Sequence, residues 1–166
     1  HVHSTGRTVS LSMSGAVALF GHFGIEWDLT TLDDGDRAAV AAWVELAKRV
    51  RPLVATGTLV HVDTADPGLD VRAVVAADRS QAFATVTQTQ SLISSPTGRI
   101  RIPGLDPDRA YRVRVVTPGG IVQEPAQSPL MWMHHDTILT GRQLALAGVR
   151  PPVQNPQRAT VIEIVA

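Results

Sequence analysis

The 166 residues, 17.7 kDa in mass, suffice for one ordinary domain but not for a complete eight-stranded β/α barrel, which needs roughly 250 residues. Fifteen basic residues balance fifteen acidic ones, which excludes the strongly basic proteins that bind nucleic acids or anionic membranes through net charge. With 44% hydrophobic and 18% charged residues, the chain is expected to fold around a sizeable core rather than to be disordered.

The chain contains no cysteine. Disulfides, thiolate catalysis and zinc sites built on sulfur are therefore excluded, and a cytoplasmic location is favoured. The sequence has neither the ~18-residue apolar run of a membrane helix nor a signal-peptide pattern. It begins at His1 without a methionine, from which we expect a fragment of a longer protein.

The first 57 residues follow the pattern of one strand-and-helix unit. Residues 16–20 contain a short apolar run beside glycines, which predicts a strand buried on both faces in a parallel sheet. A loop with two glycines follows, and Asp33 is a suitable N-cap for a helix over residues 33–51 that ends before Pro52. The helical spacing is carried by Val40, Trp43, Val44, Ala47 and Val50.

After Gly57 the helical period disappears and short alternating segments, punctuated by proline and glycine, take over. They predict an antiparallel β-sandwich, with strands near residues 59–62, 71–76, 82–86, 111–115 and 160–165. Residues 99–102 alternate arginine and isoleucine in the same manner, so Ile100 and Ile102 are expected to face the core.

Glu26 and Asp28, two residues apart after the predicted strand, are the first candidates for acid-base chemistry. Two carboxyl groups that act together on one substrate have to face it from opposite sides. Neighbours at i and i+2 on one strand are instead separated by roughly 6.6 Å and point in parallel. A capping or ion-pairing role is therefore favoured over catalysis. Trp27, between them, is expected to belong to the core rather than to stack on a sugar.

The histidines give no metal site. His134 and His135 are adjacent and would point to opposite sides of an extended chain, and no third ligand follows Asp136 at a suitable spacing. His61 is predicted to be a solvated strand residue. The sequence also lacks a nucleophile elbow, a phosphate loop and a dinucleotide fingerprint, so no self-sufficient catalytic constellation is present.

Two segments in the first part of the chain have a distinctive pattern: His-Ser-Thr-Gly-Arg-Thr at residues 3–8 and Ala-Leu-Phe-Gly-His-Phe-Gly-Ile-Glu-Trp-Asp-Leu-Thr at residues 18–30. With these segments the chain resembles the end of the catalytic barrel and the C-terminal domain of glycoside hydrolase family 36 α-galactosidases. The resemblance continues, in the family's order, at residues 76–80, 105–113 and 139–144 and at Gly148.

The resemblance implies a mainly β fold, in which the last strand-helix unit of a TIM-type barrel precedes a C-terminal antiparallel β-sandwich. Residues 16–20 then correspond to the eighth barrel strand and residues 33–51 to the eighth helix. We expect a barrel fragment over residues 1–56 and a sandwich domain over residues 57–166.

The family resemblance also implies the activity of the parent protein. Family members hydrolyse terminal α-linked galactose from oligosaccharides such as melibiose and raffinose, with retention, using two aspartates and no metal or cofactor. Both aspartates would lie upstream of His1, so no catalytic residue is assigned in this sequence, and the chain is expected to be inactive alone. Its expected partners are the rest of the barrel, the galactoside and further copies of the parent, since bacterial members often form tetramers. His3 and Arg7 are candidates for the rim of the parent's active site.

The alternative is a carbohydrate-binding or interaction module. Such a sandwich presents aromatic side chains to a glycan, but only seven aromatic residues occur. Two of the three tryptophans fall in the barrel-like part. A platform on the sandwich would have to use Phe83, Tyr111 and Trp132, which is a poor supply.

Overall fold

The computed structural model describes residue 6, residues 8–118 and residues 130–166. Its helices are α1 (Leu11–Ala18), α2 (Asp34–Thr56), α3 (Met131–His134) and α4 (Gly141–Leu146). Its strands are β1 (Thr58–Val62), β2 (Leu69–Val75), β3 (Gln81–Gln88), β4 (Ala110–Val115), β5 (Thr137–Thr140) and β6 (Arg158–Val165). No helix among these residues is long and apolar enough to cross a membrane.

The six strands form one antiparallel sheet in the order β1-β2-β3-β6-β4-β5. Each of the five segments that the alternating pattern predicted as strands lies in β1, β2, β3, β4 or β6, except that Ala76 lies one residue beyond the end of β2. The predicted mainly β, antiparallel character of this part of the chain is therefore confirmed.

The sheet is covered on both faces, which explains why β3 and β6 are buried along almost their whole length. On one face, Val74, Phe83, Ala159 and Val161 pack against α1 and α2. The opposite face carries the larger core, which includes Val71, Ala84, Tyr111, Val113, Ile162 and Ile164.

The layer over this larger core consists of the segment at residues 99–105 and helix α4. In the described residues it is not a second sheet, because the pairing is limited to one bridge between Ile100 and Val149 and a hydrogen bond from the Ile102 amide to the Leu144 carbonyl, 3.0 Å long. Ile100 and Ile102 are buried as expected, whereas the intervening Arg101 is exposed.

A buried tyrosine joins this layer to the sheet. The Tyr111 hydroxyl donates to the Arg79 carbonyl at 2.6 Å and accepts from the Asp106 amide at 3.0 Å. The ring is fully buried. Both polar capacities of the phenol are thus satisfied inside the core, as burial of a hydroxyl group requires.

The strand predicted at residues 16–20 is wrong for this structure: Ala16–Ala18 lie in α1, and the next two residues form a turn. Ser10 caps the helix by accepting from the Met13 amide at 3.2 Å. A parallel strand needs neighbouring strands for its hydrogen bonds, and none of the described strands pairs with this segment. Local helical hydrogen bonds satisfy its backbone instead.

Helix α2 begins as predicted, with the Asp33 side chain accepting from the Asp36 amide at 2.7 Å. It does not end before Pro52 but continues for one further turn to Thr56. Proline removes one backbone donor from a helix. The next residue, Leu53, is buried against the sheet, and this burial offsets the lost hydrogen bond.

Strand β5 and helix α4 have no counterpart among the predicted elements, because both are short. Thr140 begins α4 with a capping box, in which its hydroxyl accepts from the Gln143 amide while the Gln143 side chain accepts from the Thr140 amide. The Gly141 amide also donates to the Arg109 carbonyl at 3.1 Å. The hydrogen bond from Gly141 connects the start of α4 to the turn before β4.

Candidate functional site

The loop between α1 and α2 borders an apolar groove. The groove has a volume of about 490 Å³ and lies beside the C-terminal half of α2. Its lining residues are Leu19, Phe20, Gly21, His22, Phe23, Ala47, Arg51, Val54 and Ala55. The loop residues carrying the strongest family resemblance therefore form one wall of this groove, and His22 and Arg51 are its polar members.

Of the two candidate carboxylates, Asp28 is occupied as a cap. The Asp28 carboxylate accepts from the Thr30 hydroxyl at 2.6 Å and from the Thr30 amide at 3.0 Å. It thereby caps the single 3-10 turn at Leu29–Thr31, and these hydrogen bonds, the hydroxyl's first, hold the pKa of Asp28 below its usual range. Glu26 is exposed. The capping interpretation of Asp28 is confirmed.

The sequence predicted that Trp27 belongs to the core, and the structure does not place it there. This side chain is half-buried and belongs to neither core cluster. Of the aromatics proposed for a glycan platform, Tyr111 is fully buried and Phe83 is 4% exposed beneath helix α2. Trp132 is half-buried and donates its indole N–H to the Arg150 carbonyl at 3.0 Å. Two of the three platform residues are therefore core residues.

The histidines lie at separate places. His61 is exposed on the edge strand β1, as predicted. His134 ends α3, and His135 follows it in an extended conformation. Among the residues that the structure describes, no group of three or more His, Asp or Glu side chains could hold a metal ion. His3 and Arg7 lie outside the described residues, as do the two glycines that follow Pro118.

Sequence patterns did not identify the most prominent charged cluster, in which Glu163 of β6 binds both Arg49 of α2 and Arg114 of β4. The signal is present in the sequence, because Glu163 is a single carboxylate inside the apolar run Val-Ile-Glu-Ile-Val. A charged residue in a strand covered on both faces is almost always paired. Its partners come from residues far away in the chain and cannot be identified from spacing.

A second buried carboxylate fastens two loops together. Asp66 is 6% exposed and accepts from the Gly68 amide at 2.9 Å and the Ile93 amide at 2.7 Å. The Gly68 amide contributes most to holding the pKa of Asp66 below its ordinary value of 3.8, and the amides of Ile93 and Ser94 act in the same direction. The β1–β2 loop is thereby connected to the loop that follows β3.

Asp66→Asn is expected to reduce the loss of stability in acid. A carboxyl group whose pKa is lower in the folded state stabilises the fold above its unfolded pKa, here 3.8, and loses that contribution as the pH falls through the folded pKa. At pH values below about 4, the melting temperature of the unsubstituted chain should therefore fall more steeply than that of Asp66→Asn. At neutral pH the Asp66→Asn variant should be the less stable of the two. Thermal denaturation between pH 2 and pH 7 measures both, and exposed Asp63→Asn controls for the lost charge. If the melting temperatures of the unsubstituted chain and of Asp66→Asn changed in parallel with pH, the lowered pKa assigned to Asp66 would be contradicted.

The chain matches two protein-family models. The Melibiase model matches residues 1–57, and the model described as the glycosyl hydrolase family 36 C-terminal domain matches residues 70–164.

Similar proteins include several α-galactosidases. The chain is 32% identical to an α-galactosidase of Escherichia coli over 98% of its own length and 24% of that protein. It is 37% identical to α-galactosidase C of Emericella nidulans over 67% of its own length and 15% of that protein. The chain thus spans at most about a quarter of these relatives.

The fold is also similar to that of solved structures. A variant of the family 36 α-galactosidase AgaA from Geobacillus stearothermophilus, crystallised in complex with raffinose, superposes with a TM-score of 0.78 and 26% identity. The superposition covers 99% of this chain and 20% of that protein. Because the C-terminal domain model alone matches more than half of the 166 residues, the chain belongs to glycosyl hydrolase family 36, and its residues 70–164 match the C-terminal domain of that family.

Proposed function

We propose that this chain is the structural C-terminal part of a retaining α-galactosidase, which removes terminal α-linked galactose from oligosaccharides such as raffinose and melibiose. The observation that carries the proposal is the match of 98% of the chain to only 24% of the Escherichia coli α-galactosidase. The raffinose bound to the similar protein AgaA supports the substrate class.

The geometry supports a scaffolding role for the chain. Asp28 is occupied as a cap, and retaining hydrolysis needs two carboxyl groups flanking one anomeric carbon. We assign the nucleophile and the acid/base to two aspartates in the remainder of the barrel, as the family resemblance implies. The apolar groove beside α2 is a suitable surface for that remainder, because Phe20, Phe23 and Val54 line it.

Within this scaffold we propose a boundary at Gly57, with residues 1–56 belonging to the barrel and residues 57–166 to the C-terminal domain. The boundary is supported by the end of α2 at Thr56 and the start of β1 at Thr58. The separate matches of the two family models, to residues 1–57 and 70–164, support it as well. Homo-oligomerisation and a cytoplasmic location of the parent stay predictions.

The purified chain is expected to show no hydrolysis of a nitrophenyl α-galactoside above the buffer background, because we assign both carboxyl groups of the reaction to the remainder of the barrel. Colorimetric detection of nitrophenol measures this directly. Turnover by the chain alone would contradict the scaffolding role.

A chimera tests the family role in a complementary way. The chain replaces the matching quarter of the Escherichia coli relative, and the control is that relative without its matching quarter. We expect the chimera, and not the control, to hydrolyse the substrate. A folded chimera with both aspartates in place but no activity would contradict the proposed function.

A further inference from the structure

A buried carboxylate connects helix α2 to the sheet. The Glu163 side chain is only 4% exposed, whereas its partners Arg49 and Arg114 are each 49% exposed. Arg49 Nη1 donates to Glu163 Oε1, and Arg114 Nε donates to Glu163 Oε2. Each carboxylate oxygen thus has its own guanidinium donor, one from a helix and one from a strand.

The strand register makes this cluster part of a row across the sheet. Glu163 pairs with Phe83 of β3 on one side and with Arg114 of β4 on the other. The Arg49 guanidinium lies 5.5 Å from the centre of the Phe83 ring, within the range of a cation–π contact. Arg49 therefore reaches from α2 to two members of the row, the Phe83 ring and the Glu163 carboxylate.

The core cluster between the helices and this face of the sheet is built from apolar side chains. Every second residue of β6 faces the helices, and these residues are Ala159, Val161 and Glu163. Glu163 therefore occupies a position on the same face as two apolar core residues. Hydrophobic burial is non-directional. Apolar side chains would therefore hold α2 on the sheet while allowing several similar orientations. The geometry of a guanidinium–carboxylate pair is more restrictive.

The energetics of buried ions favour a role in orientation over a role in stability. Removing a carboxylate from water carries a desolvation penalty that its ion pairs often only balance, and apolar replacements of such triads can be neutral or stabilising. Retaining Glu163 in the middle of an apolar strand thus needs another explanation. One is that the ions specify a single arrangement of the packed elements.

We propose that Glu163 is a positioning residue that fixes the orientation of helix α2 on the sheet through Arg49 and Arg114. Helix α2 also provides Ala47, Arg51 and Val54 to the groove opposite the loop at residues 19–23. The ion cluster therefore sets the shape of this groove from the far side of the helix. The proposal concerns the packing of this chain and holds independently of the proposed function.

The test measures the distance between α2 and the sheet. The chain has no cysteine, so spin labels can be placed at Ala41→Cys in α2 and Ala77→Cys in the β2–β3 turn, both exposed positions. Pulsed electron spin resonance then gives the distance distribution between the labels. We expect one narrow distance distribution for the labelled chain with Glu163 and a broader one for the labelled Glu163→Gln variant. Glutamine no longer carries the negative charge that binds both arginines.

A triple variant with Arg49→Met, Arg114→Met and Glu163→Leu separates orientation from stability. We expect it to fold with a melting temperature at or above the parent value but with a broadened distance distribution. The matched control, Glu45→Gln with Lys48→Met, removes an exposed ion pair of 2.8 Å on the same helix and should leave the distribution narrow.

Two results would overturn the proposal. If the distance distribution of either Glu163 variant were as narrow as that of the labelled chain with Glu163, apolar packing alone would orient the helix. A triple variant that fails to fold would show that the cluster supplies stability rather than orientation.

Discussion

Gly148→Ala is expected to destabilise the chain by about 2–5 kcal/mol, since a left-handed backbone costs a non-glycine residue roughly 1–2 kcal/mol and overpacking adds about 1–3 kcal/mol. Gly148 follows α4 with a φ of +65°. A Cβ atom there would lie 2.0 Å from the Ile100 carbonyl oxygen. That carbonyl accepts from the Val149 amide at 3.0 Å, so relieving the clash breaks the bridge that holds residues 99–102 over the sheet. Urea denaturation followed by circular dichroism measures the loss.

Gly98→Ala provides the matched control for this substitution. It lies near the same segment, but a Cβ atom added there meets no atom within 4 Å. We expect its free energy of unfolding to stay close to the parent value. Equal stability of the Gly148→Ala and Gly98→Ala variants would contradict the close approach of Gly148 to the Ile100 backbone.

Trp43→Ala is expected to cost about 3–5 kcal/mol, the range for deleting a large buried aromatic side chain. Trp43 is 1% exposed, and its ring lies so close to Gly15 that an added Cβ atom there would be 2.4 Å from Trp43 Cδ2. The indole is thus packed between α1 and α2, and alanine would leave a cavity there. Chemical denaturation followed by far-ultraviolet circular dichroism gives the change.

Trp43→Phe shows whether the loss comes from the missing volume. In the described part of the chain, the Trp43 indole N–H is buried without a hydrogen-bond partner, so phenylalanine sacrifices no hydrogen bond. We therefore expect a much smaller loss than for alanine. A Trp43→Ala variant as stable as the parent would contradict the packing of α1 on α2.

The strands were predictable because their pattern is local. In β4, Tyr111 and Val113 are buried while Arg112 is exposed, and such alternation fixes which face of a strand is covered. The N-terminus of α2 was predictable for the same reason, since Asp33 caps it through a residue only three positions away. The Asp28 cap is equally local, because its carboxylate accepts from Thr30, two positions away.

Elements that depend on distant partners were not predictable. The segment at residues 16–20 has the composition of a buried strand, yet it is helical or turned, and none of the described strands pairs with it. Judged locally, Pro52 predicts the end of the helix, but the burial of Leu53 against the sheet stabilises a further helical turn. In the first case local helical hydrogen bonds take the place of strand pairing, and in the second a tertiary contact overrides the local preference.

The amino-acid sequence by itself determined the alternating strands, the amphipathic helix and the family resemblance, because all three are encoded in residue type and near-neighbour spacing. Only the tertiary structure decided that a single sheet has helices on one face and a mainly irregular layer on the other. It also brought Glu163 to Arg49, 114 residues away, and Asp66 to Ile93, 27 residues away. The physical reason is that a buried charge must find its partner wherever the fold supplies one, and spacing along the chain carries no information about that place.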